Sequence, residues 1–266
     1  MSIPVNHPMA SALLTRLRLR WLPLLCMAAL VVSLPVGCGA LKYKERELLF
    51  RIEPGTAGWY RGLPQDVQEF DIKPADFEAG QNLHAWWWPA ARRDAPSILY
   101  LHGVRWNLTG QAFRIEQLRA MGYSVLAIDY RGFGQSKGEL PSEASVYHDA
   151  RAAWERFTAM QPDASKRLIY GHSLGGAVAV DLAADLAAQA KKDKRPVPVR
   201  GLVIESTFTS LGDAVTEVAG NNLPVNWLPV RWLLSQRFDS IDKIVDIDMP
   251  LLVVHGLADR FMPSRF

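Results

Sequence analysis

"RLIYGHSLGGAVAV", residues 167–180, decides how this chain folds. It begins as a short apolar run, passes through Gly171-x-Ser173-x-Gly175, and continues into small residues suited to the start of a helix. A serine between a buried strand and a helix sits on a very sharp turn. Its backbone is pushed into a strained conformation, and side chains two places to either side would collide, which is why glycine stands at 171 and 175. The turn lifts the hydroxyl clear of the sheet. The free amides and positive dipole end of the following helix then face the place where an oxyanion would form, with Leu174 N–H as one donor. Ser173 is therefore the candidate nucleophile. The three-residue pattern is weak alone, and the strand before it and helix after it give it weight.

The same apolar rhythm recurs outward from this stretch. "SILYLHG" (97–103), "YSVLAIDY" (123–130), "GLVIES" (201–206) and "PLLVVHG" (250–256) are nearly unbroken apolar runs, as strands covered on both faces require. Helical patterns lie between them. Val146, Ala150, Ala153, Trp154 and Phe157 make one stripe, ended by Gln161 and Pro162, and Ala179, Leu182, Ala183 and Leu186 make another. Strands alternating with helices predict crossover units and an α/β fold, with a mostly parallel central sheet and helices on both faces. Two earlier strands are expected around a turn at Gly80, the second through Trp86–Trp88 up to Pro89, and "QAKKDKRPVP" (189–198) reads as a solvated loop beyond a helix end. Residues 41–266 form one domain in this reading.

Acyl chemistry at Ser173 needs a second oxyanion donor. The loop after "YLHG" supplies it: His102-Gly103 closes the strand, and Val104 N–H would face the site. Together "HGVRWN", "AIDYRGFGQSKG", "YGHSLGG" and "VVHGLADRFMP" resemble, in order, the oxyanion turn, the next loop, the nucleophile elbow and the acid turn of α/β-hydrolase-fold serine hydrolases. With "ALKYKERELLF" near the start, the pattern is most similar to small membrane-anchored esterase-like members, often grouped with serine aminopeptidases. The resemblance implies the α/β-hydrolase fold and marks Asp259 as the acid. Glu205, at the end of the preceding strand, is the alternative acid. Asp129 precedes the serine and fits a loop-organising role.

In that fold the chain order is serine, acid, histidine, and after Asp259 the sequence offers only "RFMPSRF". The six histidines read as structural. His172 should point away from its serine neighbour, His102 and His255 pin loops, His148 lies on the polar side of a helix, His84 sits in an early strand, and His7 falls in the leader. The expectation is a chain that stops before its last helix, strand and histidine. Such a polypeptide would be inactive as it is and would leave a sheet face uncovered.

Composition narrows the rest. An apolar fraction of 49% is ample for a core, and 30 basic against 27 acidic residues leave +3, too little and too dispersed for nucleic acid. The two cysteines, Cys26 and Cys38, lie in the first forty residues, so no thiolate metal site is expected, and no pattern for a metal or cofactor is present. Residues 1–38 read as a signal peptide or a membrane anchor: Arg16, Arg18 and Arg20 precede "WLPLLCMAALVVSLPVG", shorter than the ~20 residues of a spanning helix. "LPVGCGA" resembles a lipoprotein lipobox ending at Cys38, although Pro35 replaces the usual aliphatic residue. Export and membrane attachment follow from this reading. "NNLPVNWLPVRWLL" (221–234), with Trp227, Trp232 and Leu233, either lines an acyl pocket, touches a bilayer or packs on the domain. The substrate reading is a small acyl ester. A non-catalytic lipoprotein and an aminopeptidase remain the rival readings.

Overall fold

The computed structural model describes residues 38–222, 234–259 and 262–265. Two compact units divide at Glu45 and Arg46. Of the first, the described part is helical, within a helix over 38–50, and Cys38 is exposed. The stretch 1–37, with Cys26 and His7, and Trp227, Trp232 and Leu233 lie outside the described residues.

The second unit is built on seven strands: β1 Gln68–Ile72, β2 Leu83–Trp88, β3 Ser97–Leu101, β4 Ser124–Ile128, β5 Arg167–His172, β6 Gly201–Glu205 and β7 Leu251–Val254. Their spatial order is β1-β2-β4-β3-β5-β6-β7, with β2 antiparallel to both its neighbours, β1 and β4, and the other pairs parallel. Helices α2 Leu108–Ala120, α3 Glu143–Met160 and α4 Leu174–Asp193 follow β3, β4 and β5, and α5 Leu211–Asn222 and α6 Ser240–Lys243 lie between β6 and β7. The helix over 38–50 is α1.

Alternation along β3 shows why both faces are apolar. Ile98 and Tyr100 pack with Leu108 and Ile115 of α2 on one face, while Leu99 and Leu101 pack with residues of α3 and α4 on the other. Every residue of β3 and β4 is buried. At β7 the pattern fails: Leu251, Leu252, Val253 and Val254 are 40–56% exposed. An apolar run predicts a strand, but its burial depends on neighbours, and among the described residues β7 lies at the edge of the sheet, paired with β6.

Helix ends are set by local chemistry. Asn107 caps α2 by accepting from Thr109 N, and Ser142 with Ser145 forms a capping box at α3. The expected loop at 189–198 is half wrong, because α4 continues to Asp193. Gln, Ala and Lys are good helix formers, and Lys191 and Lys192 sit favourably at the negative end before Lys194 closes the helix in a left-handed conformation.

Strand register brings the functional ends level. Leu101 pairs with Gly171, His172 with Glu205, and Glu205 with Val254, so the loops after β3, β5, β6 and β7 leave one edge of the sheet together.

Candidate active site

Ser173 occupies the single position between β5 and α4, with φ 55° and ψ −124°. This strained conformation holds because the surroundings allow little else. A Cβ on Gly171 would lie 2.2 Å from Gly175 O, and one on Gly175 would lie 2.0 Å from Leu101 O. Only glycine lets α4 start so close to β3. The amide of Ser173 donates to Glu205 O at 2.8 Å, and that of Gly176 to Ser173 O at 2.8 Å. Position 103 closes the other side: a Cβ built there would be 3.0 Å from Ser173 Cβ and 3.4 Å from its Oγ. The loop that carries Val104 therefore touches the serine. Leu174 is the first residue of α4, where a backbone amide has no partner within the helix. Among the described residues nothing hydrogen-bonds Ser173 Oγ.

The carboxylates near this edge have distinct places. Asp129 is buried, accepts Leu108 N at 2.8 Å and faces His84 Nδ1 at 3.2 Å, so it ties the start of α2 to β2 and organises the loop. Glu205 is bound by Arg114 at 2.8 and 3.1 Å and by the Tyr170 hydroxyl. Its carboxylate is thus committed to a guanidinium and a phenol. Asp259 lies beyond β7 in a turn where its amide donates to Gly256 O at 3.0 Å and its Oδ1 accepts Met262 N at 2.9 Å. It follows β7, whose end is level with Glu205 of β6.

Each described histidine has its own partner. His102 is fully buried, its Nδ1 2.6 Å from Gly103 O and its ring 4.6 Å from that of Tyr130, and burial pulls its pKa down. His255 Nε2 lies 2.6 Å from Met262 O. His148 meets Asp76 at 2.7 Å, and His84 meets Glu69 at 2.7 Å. At His84 burial opposes the charged form, yet Asp129 and Glu69 outweigh it and raise the pKa. His172 Nε2 lies 3.2 Å from Arg114 Nη2, and burial first, then the Arg114 charge, hold its pKa down to about 4. None of these rings bonds the serine hydroxyl. Arg114 escaped the sequence reading because α2 itself did: Gly110 and Gln111 are among its buried positions and blur the apolar period. Among the described residues no helix is long and apolar enough to cross a membrane.

A family model described as serine aminopeptidase, S33, matches residues 93–241. An uncharacterised protein of Mycobacterium tuberculosis is 31% identical over 252 residues, covering 93% of this chain and 80% of its own. The lysophosphatidylserine lipase ABHD12 of Xenopus tropicalis is 31% identical over 195 residues, 69% of this chain and 48% of that protein. The chain thus spans about half the length of this lipase. Among solved structures, an alpha-beta hydrolase from Vibrio vulnificus aligns with a TM-score of 0.58 at 22% identity, covering 80% of this chain and 74% of that one. The sheet and helices are those of the α/β-hydrolase fold.

Proposed function

The chain belongs to the family described as serine aminopeptidase, S33, and from that premise we propose that it is a serine hydrolase of acyl esters working through an acyl-enzyme. The observation that carries this reading is the backbone of Ser173, φ 55° at the junction of β5 and α4, with the Gly103 loop against its hydroxyl. In the proposed reaction Ser173 Oγ attacks the ester carbonyl carbon while a proton acceptor takes its hydrogen. The bond to the alcohol oxygen breaks as that proton passes to the leaving group, and the acyl group stays on Oγ. Water, deprotonated by the same acceptor, then releases the acid and restores the serine. Val104 and Leu174 N–H hold the tetrahedral oxygen in both steps, each donor worth about 3–4 kcal/mol. Asp259 orients the acceptor and stabilises its charged form.

Among the described residues, none of His84, His102, His148, His172 and His255 bonds the Ser173 hydroxyl. Without such an acceptor, turnover is expected on the order of a millionfold below that of a full serine, histidine and acid set. Free imidazole, a diffusible acceptor of the right type, should restore part of the rate. Support for an ester substrate comes from the relative named a lysophosphatidylserine lipase; the family's description keeps aminoacyl peptides as the second reading. Hydrolysis of p-nitrophenyl acyl esters and of aminoacyl p-nitroanilides, each with added imidazole, separates the two. The expected result is ester hydrolysis that Ser173→Ala abolishes. Hydrolysis confined to the anilides would move the assignment to a peptidase, and equal rates for the Ser173→Ala variant would end it.

Residues 1–38 are proposed to export the chain and hold it at a membrane, with Cys38 as the acceptor of a lipid. Mass spectrometry of the membrane fraction should find a diacylglyceryl adduct on Cys38 that Cys38→Ala removes; an unmodified cysteine there contradicts lipidation.

A further inference from the structure

Arg114, in the second turn of α2, lays its guanidinium across the ends of two strands. Nη1 donates to both carboxylate oxygens of Glu205 on β6, at 2.8 and 3.1 Å, and Nη2 lies 3.2 Å from Nε2 of His172 on β5. A guanidinium can only donate, so Nε2 of His172 is the acceptor and its ring proton sits on Nδ1. That Nδ1 is buried and has no partner among the described residues. Glu205 is the meeting point: its side chain takes Arg114 and the Tyr170 hydroxyl, while its backbone oxygen takes the amide of Ser173 at 2.8 Å. One residue thus holds the elbow through the main chain and α2 through the side chain.

The consequence concerns the two oxyanion donors. Leu174 belongs to the first turn of α4, whereas Val104 stands on the loop that runs through the Asn107 cap into α2. Strand pairing fixes β3 against β5, and α2 is seated on β3 by Leu108 and Ile115 and at its start by Asp129. Arg114 adds a tie from its second turn to the ends of β5 and β6, across 58 residues to His172 and 91 to Glu205. Arg114 and Glu205 are only 20% and 18% exposed, so the pair is largely screened from water and holds a defined geometry.

We propose that Arg114 is a positioning residue: by clamping α2 to the ends of β5 and β6 through His172 and Glu205, it sets the spacing of the Val104 and Leu174 donors around Ser173. The inference rests on the serine-hydrolase reading above. The charged and titratable groups around His172 are Arg114 from α2, Glu205 from β6, His102 at the end of β3 and Asp259 beyond β7. Burial and the Arg114 charge keep the ring neutral, so it goes on accepting from Arg114 at neutral pH.

The test compares Arg114→Met, which keeps the bulk and removes charge and fork, with Arg114→Lys, which keeps only the charge. Two readouts are taken on protein shown to be folded by circular dichroism: the rate of fluorophosphonate adduct formation at Ser173 with added imidazole, and the His172 ring by nitrogen NMR across pH. With Arg114→Met the adduct rate should fall about tenfold or more at an unchanged half-saturating reagent concentration. The ring should lose its fixed Nδ1–H form and titrate at higher pH. Arg114→Lys should regain part of the depressed titration but little of the rate. A folded Arg114→Met variant that labels at the wild-type rate, or whose His172 tautomer and titration are unchanged, overturns this inference alone. A wild-type chain that forms no adduct at Ser173 overturns the hydrolase reading and this inference with it.

Discussion

Ser173 rises between β3 and β6, where Leu99, Leu101 and Ile169 are fully buried, whereas Asp259 follows β7, whose four residues are 40–56% exposed. The elbow is held by distant parts of the chain: Leu101 O and Gly103 press on it, and Glu205 O takes its amide. The acid turn is held by near neighbours. Asp259 N meets Gly256 O, Met262 N meets Asp259 Oδ1, and His255 meets Met262 O, all within seven residues. The difference teaches that a strained nucleophile needs a packed sheet around it, at a cost of about 1–3 kcal/mol for its backbone. A carboxylate on a turn needs only the turn.

That contrast breaks most visibly at glycines. Gly175→Val should prevent folding or cost more than about 4 kcal/mol, because the new side chain meets the backbone oxygens of Leu101 and His102 at 2.0 and 2.6 Å. Gly256→Ala, whose nearest new neighbour is Asp259 Cβ at 3.9 Å, should stay within about 1 kcal/mol. Urea unfolding of both variants measures this, and similar losses would show that the acid turn is as tightly packed as the elbow.

Next in size are the strands themselves. Leu99→Ala removes a wholly buried side chain and should cost about 2–5 kcal/mol, whereas Val253→Ala, on a residue 54% exposed, should cost under about 1 kcal/mol. Equal costs by chemical denaturation would mean that β7 is covered in solution.

Acid sensitivity is confined to one pH window and arises at the elbow. The folded pKa of His172 is lowered to about 4, so below the ordinary value of about 6.5 the unfolded chain takes up a proton that the folded one refuses. Stability from this group is therefore lost as pH falls from about 6.5 toward about 4. A His172→Gln variant should show a shallower decline over that window; an unchanged slope would mean that His172 is not held neutral.

What was legible in the sequence follows the same division. The strands and the sharp strand-to-helix turn at Ser173 are local patterns, an apolar run, a glycine spacing and a helix start, and each is legible in about a dozen residues. Asp129 as an organiser of its loop was also readable, since a carboxylate at a strand end ahead of the serine has few other uses. Exposure at β7 is not legible in its own apolar residues, because it depends on which elements lie alongside. The length of α4 is not legible in residues 189–198, because lysines suit a solvated loop and a helix end alike. Arg114 could not be found at all: its partners lie 58 and 91 residues away, and only the register of β5 with β6 sets His172 beside Glu205.

The central claim, that packing presents Ser173 as a nucleophile beside backbone donors, is met most directly by locating a fluorophosphonate adduct. The folded 266-residue chain is treated with the reagent, with and without imidazole, digested and read by mass spectrometry. The account predicts a single phosphonylated residue, Ser173, formed faster with imidazole and absent from Ser173→Ala. An unmodified Ser173 on the folded chain with imidazole present, or an adduct at another residue that Ser173→Ala leaves in place, would contradict it.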